Sequence, residues 1–198
     1  FALLFDWGLM VFGLYIFYFY PSPLTFMLSV IIIGSRQFAL AVLAHDGAHN
    51  LLFSNLRVND FISQWFCAYP IFQDNRVYRP YHLKHHRFTE TDDDPDLTLS
   101  APFPISKKSF MRKVVRDMTG LTGYKRYKAS FSSIFMTEAS NPLDKIKKIL
   151  NKIHGFLIVN TIILILISIF FHWSLYFLLW WVPAFTYYSL IIRIRNIA

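Results

Sequence analysis

Cysteine is almost missing from this chain: Cys67 is the one thiol in 198 residues. That excludes an internal disulfide and any zinc or iron–sulfur site built from cysteines. A lone thiol of this kind reads as a small core residue rather than a reactive group. Charge is scarce as well. Only 16% of the residues are Asp, Glu, Lys or Arg, against 55% hydrophobic and 19% aromatic, whereas soluble chains carry about 25% charged residues. An ordinary soluble domain is excluded, and lipid becomes part of the expected solvent. An initiating Met is lacking too, and the sequence opens at Phe1 straight into an apolar run. No basic n-region or small-residue cleavage site precedes that run, so it is not a secretory signal. With Ala198 following a basic cluster, both ends read as cut, and we expect a piece of a longer protein. There is no internal repeat and no low-complexity segment.

What is present is long apolar runs. A helix needs about 20 apolar residues to cross a bilayer, and four stretches fit: about 3–20, 24–44, 154–171 and 174–192. Pro21-Ser22-Pro23 turns the first into the second, and His172-Trp173 turns the third into the fourth. Of the 20 Lys and Arg, 17 fall between residues 45 and 153, and neither short turn has any. The positive-inside rule then places residues 45–153 and both ends in the cytoplasm. The expected fold class is all-α: an integral membrane protein with four transmembrane helices as two hairpins, joined by a cytoplasmic helical region, 1–198 forming a single domain.

A net charge of +8 raises the question of nucleic acid, centred on KKSFMRKVVRDM and LDKIKKILNKI. The pattern argues against it. Phe110, Val114 and Met118 recur at four-residue steps, and Ile146, Ile149, Leu150 and Ile153 at helical spacing. Basic residues fill the other faces, which is the form of a helix lying on anionic lipid. The competing reading is a solvated basic face packed on its own protein. The segment 60–72 (DFISQWFCAYPIF) is apolar but too short to cross, and is expected to dip into the interface or cover a site.

Five of the seven histidines lie between residues 45 and 86, as His45-x-x-x-His49 and His82-x-x-His85-His86. Four helical residues turn about 400°, leaving His45 and His49 about 40° apart around the axis. His82, His85 and His86 share a face in the same way. Imidazole suits iron, zinc, copper or nickel, and five imidazoles exceed the four ligands of a closed zinc site. The surplus favours two metals, or one metal plus catalytic groups. Asp46 stands where the His-Glu-x-x-His protease box has glutamate, so that box is not matched. His154 and His172 read as hydrogen-bonded structural residues.

The run TDDDPDL follows the second cluster. Metal-bound histidines normally give their other ring N–H to a carboxylate or carbonyl. Asp94 and Asp96 are candidates for that role, with Asp46 a candidate toward the second cluster. A turn with a helix cap explains Asp-Asp-Pro-Asp equally well. Arg36 and Gln37 are polar groups within a span, a costly placement. Arg36 is half a turn from His45 and reads as a charge held by a neighbouring helix or headgroup, whereas Gln37 is placed to line a cavity.

Taken together, His-Asp-x-x-His at a span's end, then His-x-x-His-His-x-x-Thr-x-x-x-Asp-Asp-Pro-Asp, resembles the integral-membrane fatty acid desaturases and their hydroxylase and ketolase relatives. The motif detail runs from Arg36 to Leu97, and the hairpin–loop–hairpin layout extends it over the chain. The resemblance implies a non-haem di-iron centre, with His45, His49, His82, His85 and His86 among its ligands. It also implies that O2 and two electrons are used to remove hydrogen from an unactivated methylene of a lipid acyl chain. The family has a third His-x-x-His-His box after the fourth span, beyond RIRNIA here, so the 198 residues alone are expected to be inactive. No cytochrome b5 motif occurs in this stretch, and an external ferredoxin or cytochrome b5 is the expected donor.

An acyl-lipid desaturase is thus the leading expectation, with a fatty acid or carotenoid hydroxylase or ketolase as its neighbour. The three-residue gap in the first box leans away from acyl-CoA substrates. A membrane metal transporter is a different class, but its ligands belong near the midplane, where the four spans have no histidine. A non-catalytic remnant also stays open. Short loops favour a bacterial inner membrane over the endoplasmic reticulum.

Overall fold

The computed structural model describes residues 1–100 and 103–197, with the side chains of residues 99 and 100 left aside. Every regular element among the described residues is helical. Helix α1 (Ala2–Phe19) and α2 (Pro23–Ala48) form the first hairpin. Its turn is fixed by chemistry in the sequence: Ser22 caps α2 by accepting from Thr25 N, Thr25 answers to Ser22 N, and Pro23 fills the first turn, where its missing N–H is no loss. The second hairpin pairs α8 (Pro142–Phe170) with a fourth span, Ser174–Ile197. These four segments are long and apolar enough to cross a membrane.

Between the hairpins lie α3 (Leu56–Ile62), α4 (Asn75–Phe88), α5 (Leu97–Ser100), α6 (Lys107–Met118) and α7 (Leu121–Phe135). The fourth span is not one regular helix. It runs as α9 (Ser174–Tyr176), a π-helical stretch Phe177–Trp181, α10 (Val182–Phe185) and α11 (Tyr187–Ile197). Pro183 has no N–H for the ladder and its ring crowds the preceding turn, which wide π turns relieve. The core of Met10, Leu14, Ile33, Leu40, Ile163, Ile167, Leu179 and Trp180 joins all four spans.

Two expectations about the basic segments change. Lys145 to Lys152 do not form a separate helix lying on lipid: they belong to the first turns of α8, which continues unbroken for 29 residues, about 43 Å at 1.5 Å per residue. Asn141 starts it by accepting from Asp144 N, with Pro142 next. Helix α6 packs through Phe110, Val114 and Asp117, while Met118, expected on the same stripe, is exposed. Asp117 is fully buried and forms a two-pronged ion pair with Arg193 of α11. That pair accounts for the choice of face.

The segment after α3 is the least regular and the most firmly tied. It passes through a π-helical stretch, Ser63–Ala68, and a short 3-10 turn, Tyr69–Ile71. Its free carbonyls are met by side chains of three spans. Trp7 Nε1 donates to Phe66 O at 3.2 Å, Asn160 Nδ2 to Tyr69 O at 3.0 Å, and Trp180 Nε1 to Pro70 O at 3.1 Å. Irregular backbone among apolar helices persists only where such partners satisfy it. Cys67 and Ala68 are fully buried here, the place expected of a core thiol.

Arg36 is held by a neighbouring helix: its Nη1 meets Asp6 Oδ1 of α1 at 2.9 Å. Gln37 is fully buried, and its Nε2 donates to the Trp180 carbonyl at 2.8 Å within the π-helical stretch. It ties two spans together rather than facing one of the cavities described below.

Candidate metal centre

The first histidine pair sits at the end of α2. His45 lies in the last turn and His49 is the C-terminal cap, after which Asn50 takes a left-handed φ of 61°. Asn tolerates that conformation better than most residues, so the helix stops there. Asp74 starts α4 by accepting from Arg76 N, and α4 then presents His82, His85 and His86. Two amides join the elements: Asn75 Nδ2 donates to Ala44 O and Asn59 Nδ2 to Gly47 O, both at 2.9 Å. Arg79 adds a bond to the same Gly47 carbonyl. Buried polar contacts thus fix the last turn of α2 against α3 and α4.

This register brings four imidazoles together. Ring nitrogens of His45, His49, His82 and His86 all lie within 4.8 Å of one another. His82 is at the centre, its Nε2 being 3.1 Å from His49 Nε2 and 2.9 Å from His86 Nε2. It is 4% exposed. Burial, and then the neighbouring His45, His86, His49 and His85, hold its pKa down at about 4. His49 is shifted downward too, by burial first and His45 and His86 next. A neutral imidazole has one N–H and one lone pair, so one proton cannot satisfy three nitrogens this close. A cation can. Two ligands at right angles on a metal with bonds of about 2.1 Å stand about 3.0 Å apart, which is the spacing seen. The donor set therefore fits a first-row metal that accepts imidazole.

His85 departs from the shared face read from the sequence. Its Nδ1 meets Asp94 Oδ1 at 2.7 Å, with Asp96 Oδ2 at 3.9 Å. It lies outside the group of four, with its ring 5.7 Å from that of His86. With Nδ1–H donated, Nε2 keeps its lone pair. Asp94 also serves the turn, accepting from Glu90 N and Asp96 N. Burial alone would raise the Asp94 carboxyl; these bonds outweigh it and hold the group below its ordinary range. The ligand-orienting and turn-forming readings of this run therefore describe the same atoms. Asp46, expected toward the second cluster, instead meets His45 Nδ1 at 3.2 Å, within its own box. Asp96 accepts from Tyr81 at 2.6 Å. His154 and His172 bond locally, to Asn151 O and Ser174 Oγ.

The sequence reading did not single out the tyrosines. Tyr78 stacks on His82, with centroids 5.0 Å apart and planes 10° from parallel. Both Tyr78 and Tyr81 face a cavity of about 410 Å³ that runs between α4, α7 and α8. Their position one helical turn before His82 and His85 is the signal that could have found them. Phe72 and Phe156 wall this cavity and also a second, of about 350 Å³, between α7, α8 and the fourth span. Phe72 has a φ of 60°, unusual for an aromatic residue.

Comparison with known proteins adds the following. A family model described as "Fatty acid desaturase" matches residues 2–198. Among curated proteins, dihydrorhizobitoxine desaturase of Bradyrhizobium elkanii is 40% identical over 72 residues, 35% of this chain and 20% of that protein. The matched stretch is thus about a fifth of that relative's length. No solved structure matches the chain.

Proposed function

The chain belongs to the fatty acid desaturase family, and from that premise we propose that it forms the membrane part of an O2-dependent, di-iron acyl-lipid desaturase. The observation that carries the reading is the convergence of His45, His49, His82 and His86, with His85 beside them and held by Asp94. These five imidazoles would hold iron. When bound, iron supplies the oxidising chemistry that attacks unactivated C–H bonds with O2 and two electrons.

The protein's own residues prepare that chemistry. Asp94 fixes a proton on His85 Nδ1 and leaves Nε2 basic; Asp46 does the same for His45. Burial keeps His82 neutral, the form that can ligate. Tyr78 covers the ring of His82 on the side of the 410 Å³ cavity. The Phe72 and Phe156 walls then lead on to the second cavity, which offers apolar surface for a substrate chain and keeps water from it. On this reading the boxes face the cytoplasm of a bacterial inner membrane. The partners are a membrane lipid substrate and a separate ferredoxin or cytochrome b5.

The test uses the purified chain in detergent and the complete gene product in cells. Iron bound per chain is expected to fall by more than half in His49→Ala and His82→Ala, with new double bonds in the lipids of cells making the complete protein. Iron retained by both variants, or metal flux in vesicles without oxygen uptake, would defeat the proposal.

A further inference from the structure

Three arginines of α4 and the end of the fourth span have an acidic partner: Arg76 pairs with Asp74, Arg79 with Asp60, and Arg193 with Asp117. Arg126 does not. This α7 guanidinium lines the 410 Å³ cavity, donates one bond to the Ala184 carbonyl at 3.1 Å, and meets no carboxylate among the described residues. It is pressed between two aromatic faces instead, 4.8 Å from the Tyr127 ring centroid and 4.7 Å from that of Tyr188. Aromatic faces attract a cation but leave most of its five donors unspent.

Beside it is a second under-used polar group. The buried Tyr127 hydroxyl makes no hydrogen bond of good geometry among the described residues, the Arg126 guanidinium being the polar group next to it, and the residue, only 6% exposed, lines the same cavity. Buried hydroxyls are nearly always bonded. Lys152 lines this cavity too, with one of its three ammonium donors given to Thr137 Oγ1 at 2.8 Å and two left over. Asp74, elsewhere on the same lining, is engaged by Arg76 and Gln64. The cavity thus has an apolar body, a surplus of unspent donors, and Tyr78 at the wall nearest the histidines.

We propose that Arg126, with the Tyr127 hydroxyl, is the specificity-determining group that holds the anionic head of an amphiphilic substrate, a carboxylate or a phosphate, in this cavity. A planar guanidinium binds either through two parallel bonds. The apolar tail then follows Phe72 and Phe156 into the second cavity, and the head fixes which methylene lies beside Tyr78 and the histidines. This inference rests on the substrate side of the desaturase reading, not on iron.

The test measures binding without iron or oxygen, so a failure of the di-iron reading would leave its result intact. The full chain in uncharged detergent is labelled with a photoreactive decanoic acid and the labelled peptides are mapped. Decanoate, decyl phosphate and methyl decanoate compete. We expect label on α7 and α8, displaced by one or both anions at concentrations at least tenfold below the ester. Arg126→Gln should remove that preference, a loss of about tenfold or more for a charge-assisted pair, and Arg126→Lys should keep part of it. Tyr127→Phe, a smaller change in shape, should weaken both anions and keeps the idea testable if the Arg126 variants do not fold. Preference for decanoate identifies a free acid as the source, and preference for decyl phosphate a lipid headgroup. Equal competition by the ester, an anion preference that survives Arg126→Gln, or label confined to other helices would each overturn the proposal.

Discussion

Gly47, inside the first histidine box, should be irreplaceable for a reason that has nothing to do with its backbone freedom. A Cβ built at Gly47 would lie 2.2 Å from Ser63 Cβ and 2.7 Å from Ser63 Oγ, where ordinary contacts begin near 3.4 Å. Gly47→Ala therefore demands a displacement of more than 1 Å from the π-helical stretch. That stretch is pinned by Trp7, and the 3-10 turn that continues it by Asn160 and Trp180, so it cannot move alone. Overpacking costs about 1–3 kcal/mol, and Ala in place of Gly in a helix returns up to about 1 kcal/mol. A clash of this depth belongs at the upper end of that cost, so the net is a loss of about 2 kcal/mol, or about 4–8 °C in apparent Tm for a chain of this size. Because His49 follows two residues later, metal affinity should fall as well. The assay is a thermal scan in detergent on a double-mutant cycle with Ser63→Gly. Removing the Ser63 side chain should restore much of the loss, making the pair couple by at least about 0.5 kcal/mol. If Gly47→Ala is as stable as the parent, or if the two changes simply add, the close approach of α2 to this segment is wrong.

Three other perturbations discriminate between parts of the structure. Asp94→Asn removes the carboxylate that fixes His85, and metal affinity by cobalt titration should drop about 10–100-fold, while exposed Asp92→Asn should change nothing. Asp6→Asn strands the Arg36 cation between helices and should cost about 3 kcal/mol; the paired change Asp6→Leu with Arg36→Met should recover stability in the same thermal scan. At Asp74, burial pushes the carboxyl up, but bonds from Arg76 and Gln64 outweigh it and leave the group below 3.8. Its contribution is thus present above pH 3.8 and lost as pH falls through the lower folded value. Asn caps a helix as well as Asp, so Asp74→Asn should flatten the acid limb of a Tm-against-pH curve without removing the helix start. An unchanged acid limb would show that the Arg76 pair contributes nothing.

How far the sequence reaches depends on the range of the interaction that decides each feature. The four spans were readable because hydropathy and length act within one segment, and the turn at Pro21-Ser22-Pro23 because its caps are three residues apart. The pairing of His45 with His49 follows from helical pitch alone. The orientation of His85 does not. Pitch puts it on one face with His82 and His86, yet Asp94, folded back by its own turn, draws the ring aside through Nδ1. Similarly, Asp46 has His45 as its chain neighbour and the second cluster as the expected partner, and sequence gives no way to rank the two; the fold gives it to His45 Nδ1. The basic turns of α8 were separated from the span because charge ends a hydropathic run without ending a helix, and nothing in Lys145 to Lys152 breaks one. Least legible was the segment Ser63–Ile71, whose carbonyl partners are 59 to 110 residues away along the chain. Arg126 belongs to that same class. Only packing reveals that Tyr127 and Tyr188 flank it and that no acid among the described residues does, because a cation in a basic stretch looks like any other until its surroundings are known. Long-range polar contacts decide both the irregular backbone and the unspent cation, so the features best placed to shape a substrate pocket are those that local pattern cannot supply.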